Sequence, residues 1–117
     1  MLILEDHGGR NAWFRRQFPE AVMVETVKEA IEALENGEFG VVSLDHDLNG
    51  EQFIDSARAD CGMEVVRWMV KHKPGVGEVV VHTANRKAAM LMEEALVGAG
   101  FVVRREPFGG QYDDRGA

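Results

Sequence analysis

The chain has 117 residues, enough for one domain around one core, and its 45% hydrophobic and 28% charged residues exclude a disordered composition. Its formal charge of -7 opposes long-range attraction to duplex nucleic acid, and no apolar run approaches the ~20 residues of a membrane helix. The single cysteine excludes an internal disulfide or a cysteine-rich zinc site, and Cys61, in a polar segment, reads as incidental. The first residues, apolar Leu2-Ile3-Leu4 followed by acidic Glu5-Asp6, lack the basic start of a signal peptide, so the cytoplasm is the default expectation.

Short, β-branched-rich runs alternate with segments of helical spacing. Leu2-Ile3-Leu4 opens the chain as a strand, and a short helix is expected from about Asn11 to Phe18, with Trp13, Phe14 and Phe18 inward. Ala21-Val22-Met23-Val24 is a second strand. Thr26 and Glu29 then form a T-x-x-E capping box, each side chain able to accept the other's backbone N–H. Val27, Ala30, Ile31 and Leu34 follow at i, i+3, i+4, i+7, with Gly37 as a stop.

Val41-Val42-Ser43-Leu44 is a third strand. The polar segment Leu48–Cys61 after it is long for an ordinary connection and reads as a lid or a disordered segment. A third helix starts near Gly62, with Met63, Val66 and Val70 on one face, widened by Val65 and Met69. Val79-Val80-Val81 is a fourth strand, and a fourth helix follows Asn85 as N-cap, burying Ala88, Leu91, Ala95 and Leu96. Phe101-Val102-Val103 is a fifth strand. Residues 1–108 thus form one domain, and 109–117, Gly-rich and polar, form a flexible tail.

Strictly alternating strands and helices predict a parallel sheet with right-handed crossovers. The expected fold is α/β, flavodoxin-like: five parallel strands in the order 2-1-3-4-5, with helices on both faces. Ligands in such sheets bind beyond the strands' carboxyl ends, at the switch point between the first and third strands.

The polar residues gather there. Strand one ends in Glu5-Asp6-His7 before Gly8-Gly9-Arg10, strand three in Asp45-His46-Asp47, and strand four in His82-Thr83-Ala84-Asn85. Three of the four histidines therefore fall on one rim. Carboxylates brought together need compensation, and a hard cation such as Mg²⁺ or Mn²⁺ suits Glu5, Asp6 and Asp45 as ligands, the alternative being a softer ion such as Mn²⁺ or Zn²⁺ ligated by the nearby histidines. His46 and His82 are placed for general acid–base work, with Asp47 as an orienting carboxylate. Arg10, Thr83 and Asn85 are suited to phosphate oxygens. Plainer roles compete: a solvated turn for Glu5-Asp6, a salt-bridged structural histidine for His46, and a satisfied core residue for His82.

Leu2–Asp6, Leu44-Asp45, Thr83 and Pro107-Phe108 resemble the strand ends of response-regulator receiver domains. Two departures set the chain apart: Glu106 stands where receivers carry a lysine before that proline, and His46 and His82 are additions. The segment Leu44-Asp45-His46-Asp47-Leu48, the H-T-x-N of His82, Thr83 and Asn85, and Asp6 followed by Arg10 are similar to a receiver-derived family, the cyclic-phosphate-processing receiver-like domains of bacteria and phages. The similarity runs from Leu2 to about Phe108. It implies a metal-dependent phosphoesterase opening cyclic phosphates, with a small phosphorylated ligand or an RNA end as partner. The alternative is a non-catalytic receiver-like module that binds a protein partner or sequesters a cyclic nucleotide.

Overall fold

The computed structural model of the protein describes residues 1–48, 51 and 54–107. The expected tail, residues 109–117, lies outside the described residues, as do Phe108 and residues 49, 50, 52 and 53 of the expected lid. Elements follow strictly in turn: β1 (Leu2–Leu4), α1 (Gly8–Gln17), β2 (Val22–Val24), α2 (Val27–Asn36), β3 (Phe39–Leu44), α3 (Gly62–His72), β4 (Val76–Val81), α4 (Arg86–Gly98) and β5 (Val103–Arg105). The strands pair in parallel in the order β2-β1-β3-β4-β5, the expected flavodoxin-like sheet.

Burial on both faces explains why the strands read as continuous apolar runs. On one face, Leu2, Leu4, Val42, Leu44, Val79 and Val81 pack against α2, α3 and α4 through Ala30, Leu34, Val65, Val66, Met69, Ala89, Met92 and Leu96. On the other face, Ile3 packs under Phe14 of α1, flanked by Met1, Trp13, Ala21 and Met23. The helices therefore divide three to one among the described residues.

Several local expectations shift. Helix α1 begins at Gly8 because His7 caps it, accepting from the Arg10 N–H, and Phe18 ends up 39% exposed beyond the helix. Thr26 Oγ1 accepts from the Glu29 N–H at 3.1 Å, but Glu29 Oε1 returns to the N–H of Glu25, one residue before the Thr26 N-cap, so only half of the expected capping box forms. Helix α4 is apolar nearly all round, so its spacing does not fix which side faces the sheet. Packing buries Met92 and leaves Leu91 41% exposed. Strand β5 starts at Val103, since Phe101 still bonds to the Leu96 carbonyl beyond Gly100, whose φ of 97° closes α4.

The described part of the Leu48–Cys61 segment is held by specific contacts. Leu48 and Ile54 are buried, and Arg58 bonds both carboxylate oxygens of Glu51 and of Asp60. Arg67 of α3 donates to the carbonyls of Ser56 and Arg58, each at 2.8 Å. Cys61 is fully buried at the head of α3, its Sγ 3.3 Å from the Arg58 carbonyl, so it is a packing residue rather than an incidental one.

Gly62 opens α3 where the helix meets the end of β3, and its N–H bonds to the His46 carbonyl at 2.9 Å. A side chain at Gly62 would overlap the Asp45 carbonyl, a backbone atom fixed by the sheet, whereas one at Gly98 meets nothing within 4 Å. Gly62→Ala is therefore expected to destabilise the fold by about 3 kcal/mol or more, and Gly98→Ala to be neutral or stabilising by a few tenths. Urea unfolding of both variants checks this, and equal midpoints would refute it.

Candidate functional site

The parallel ladder continues one residue past the strands. Glu5 N–H bonds to Val24, Asp45 N–H to Leu4, His82 N–H to Leu44 and Glu106 N–H to Val81. Leu4, Leu44 and Val81 share one register row. Glu5, Asp45 and His82 therefore form the next row, at the switch point between β1 and β3. Side chains alternate along a strand, so this row shares the face of Ile3, Ser43 and Val80, the face covered by α1.

The three side chains converge, with one ligand-capable atom of each within 4.8 Å of the others, and all are buried. Glu5 Oε1 accepts from Arg10 Nε at 3.1 Å and faces His82 Nε2 at 3.0 Å, while Glu5 Oε2 accepts from the His7 N–H at 3.0 Å. His82 Nδ1 lies 2.8 Å from Ser43 Oγ, and Phe14 packs on its ring with centroids 4.9 Å apart. Because a carboxylate only accepts, Nε2 donates to Glu5 here, and Ser43 Oγ is the hydrogen-bond partner of Nδ1 on the other side of the ring. Asn11 of α1 closes the base by donating to the Glu5 carbonyl at 3.1 Å.

Asp45 is the anomaly. Its Oδ1 accepts from the His46 N–H at 2.8 Å, but its Oδ2 is buried and accepts no hydrogen bond. The nearest cation contact at that atom is Arg10 Nη2, at 3.9 Å. Burial and then the Glu5 charge push the Asp45 carboxyl up to about 8, far above the usual carboxylate range. Burial also acts against ionised Glu5, but the bond and charge of His82, the His7 N–H and Arg10 together hold it well below that range.

The other predicted residues lie around this row. Asp6 is half-buried and is not in the converging set, so the ligand-capable group is Glu5, Asp45 and His82 in place of the expected Glu5, Asp6 and Asp45. Alternation is the reason: of two successive residues leaving a strand, only one faces α1. For the same reason His46 departs from Asp45 toward α3. It is fully enclosed, with Nδ1 2.7 Å from Asp47 Oδ1 and Nε2 2.9 Å from Ser56 Oγ.

Asp47 Oδ1 also accepts from Asn85 Nδ2 and the Ile54 N–H, both at 3.3 Å. Asn85 caps α4 by accepting from the Ala88 N–H, and Thr83 Oγ1 accepts from the Asn85 N–H. Thr83 is buried and Asn85 half-buried. The predicted residues thus make two groups: Glu5, Asp45, His82 and Arg10 over α1, and His46, Asp47, Thr83 and Asn85 toward α3 and α4. Sequence reasoning missed Ser43, although its alternation two residues before Asp45 places it on the same face.

A set of two carboxylates and one imidazole, with one buried oxygen lacking a donor, fits a divalent cation of intermediate softness. In the metal-free protein a proton serves instead. Folding then binds that proton more tightly than the unfolded chain, so its contribution is full below about pH 4 and is lost as pH rises toward 8. Chelator-treated protein is accordingly expected to lose thermal stability across this window. Asp45→Asn is expected to flatten the slope and raise Tm at pH 7.5 by at least about 5 °C. A pH-dependent melting series on both proteins decides it, and an unchanged slope in the variant would remove the explanation.

A family model described as the cyclic-phosphate processing receiver domain matches residues 1–98, a span that contains every candidate site residue named above. No curated protein and no solved structure matches the chain.

Proposed function

The chain belongs to the cyclic-phosphate processing receiver domains, and from that premise we propose that it is a metal-dependent phosphoesterase that opens cyclic phosphates, on nucleotides or at RNA ends. The observation that carries the reading is Asp45 Oδ2, a buried carboxylate oxygen without a donor, set beside Glu5 and His82.

Glu5, Asp45 and His82 would hold the cation, with Asp6 as a third carboxylate at the rim. The imidazole favours Mn²⁺ over Mg²⁺, and Zn²⁺ is compatible. Such an ion polarises a phosphoryl oxygen and lowers the pKa of bound water. Ser43 Oγ can accept from Nδ1 as well as donate to it, so the His82 ring can carry its proton on Nδ1 and present Nε2 as a lone pair. Phe14 keeps that ring in one orientation and excludes water from its face.

Arg10, 31% exposed, and half-buried Asn85 carry N–H donors close to the strand ends, where a phosphate would bind with Thr83 beside it. His46, enclosed between Asp47 and Ser56, acts through Asp47 on Asn85, which positions a phosphate donor. Of the two histidines, His82 alone borders the carboxylates, so it is the one that would ligate the cation, and its loss would act on the chemical step through the metal.

The test is chromatographic assay of 2′,3′-cyclic mononucleotides and short cyclic-phosphate-ended RNA, with and without Mn²⁺ or Mg²⁺. Ring opening is expected only with metal, reduced about a hundredfold or more in kcat by His82→Ala or Asp45→Asn. His46→Ala is expected to act mainly on KM. Tight binding of unchanged substrate after prolonged incubation with metal would replace the enzyme with a sequestering module. Loss of kcat alone in His46→Ala would return His46 to the reacting groups.

A further inference from the structure

Arg10 is held by the very carboxylates that a cation would need. Its Nε bonds Glu5 Oε1 at 3.1 Å, while Nη2 stands 3.9 Å from Asp45 Oδ2, too far for a hydrogen bond. It therefore compensates Asp45 by charge alone. Its side chain is 31% exposed on the first turn of α1, two residues after Gly8, where an added side-chain carbon would meet nothing within 4 Å. The guanidinium thus has a route to the rim that the enclosed Glu5, Asp45 and His82 side chains lack.

We propose that Arg10 is a built-in stand-in cation: it occupies the Glu5–Asp45 pair until a divalent ion arrives, and its displacement delivers the guanidinium to the substrate phosphate. Metal and phosphate then bind cooperatively. The inference rests on the cation reading of the site given above.

Three physical points carry it. A guanidinium cannot shed its charge, so it and a divalent ion cannot share the same carboxylate oxygens without repulsion. The contact to Asp45 is long, and Glu5 Oε2 keeps the His7 N–H, so the fold keeps Glu5 partnered when Arg10 leaves. Once detached, the planar fork of N–H groups matches phosphate oxygens two at a time. Linkage requires reciprocity: if metal frees Arg10 for phosphate, phosphate must tighten metal binding by the same factor.

The experiment titrates Mn²⁺ into the chelator-treated full chain by calorimetry, with and without inorganic phosphate, for the wild type, Arg10→Gln, Arg10→Lys and Asp45→Asn, each checked by thermal melting. Without phosphate, Arg10→Gln is expected to bind Mn²⁺ roughly tenfold more tightly than the wild type, as removal of a competing unit charge at this distance requires. Arg10→Lys, which keeps the charge, should stay near the wild-type value. Phosphate should tighten Mn²⁺ binding several-fold in the wild type and clearly less in Arg10→Gln.

Mn²⁺ binding that is lost in Asp45→Asn but unchanged or weakened in Arg10→Gln would overturn the displacement and leave the cation reading standing. No Mn²⁺ binding by any of the four proteins would overturn both. Should Arg10→Gln fail to melt cooperatively, the wild type decides alone, since no coupling between Mn²⁺ and phosphate would overturn the proposal.

Discussion

Two carboxylates from adjacent strand ends are buried side by side, and the surroundings supply too little positive charge to ionise both. Glu5 takes the available donors: Arg10 Nε, His82 Nε2 and the His7 N–H. Asp45 is left with one backbone N–H and a guanidinium out of hydrogen-bonding range. Removing such a pair from water is costly unless it is neutralised, and a proton or a metal ion can complete what Arg10 leaves uncompensated. Around this imbalance sit Phe14 and Asn11 of α1, Ser43 of β3, and Gly62, whose missing side chain lets α3 close against Asp45. The site is thus an energetic liability maintained by the sheet, the usual mark of a binding or reacting centre.

Much of this was legible from residues alone. The runs Leu2–Leu4, Val41–Leu44 and Val79–Val81 gave continuous apolar strands, and strict alternation with helices left little choice of topology. The three polar strand ends followed directly. What the pattern did not separate was Glu5 from Asp6 and Asp45 from His46, because composition ignores which face a residue leaves by. The information lay in register: a shared row through Leu4, Leu44 and Val81 selects Glu5, Asp45 and His82, while Asp6 and His46 each lie one residue beyond it. His82 shows why competing roles for one residue need not exclude each other, since it is both a satisfied core histidine and the imidazole facing the carboxylates.

Other misses have different causes. Leu91 and Met92 could not be ranked because α4 is apolar on nearly every side, so tertiary packing sets its phase. The Leu48–Cys61 segment looked loose because its polar residues form no periodic pattern. Its described part is tied down by arginines: Arg58 and Arg67 satisfy carboxylates and backbone carbonyls that a loop would otherwise offer to water. Such bonds depend on geometry between distant positions and leave no local sequence signal.

The same row also explains the departure from ordinary receivers. Glu106 continues the ladder on β5 through its N–H to Val81, next to His82, and stands where receivers carry a lysine. Its carboxylate is exposed and pairs with Arg104 on the sheet edge. A lysine at that position would bring a fixed positive charge to the row from β5. In this chain the charge comes instead from α1, through Arg10, on the opposite flank of the carboxylates. Moving the cation from a strand end to the first turn of a partly exposed helix exchanges a fixed counter-charge for one that can leave. A row with a fixed ammonium would keep Asp45 ionised by itself. One with a removable guanidinium leaves Asp45 dependent on what else binds, and that dependence couples the buried carboxylates to the composition of the rim above them.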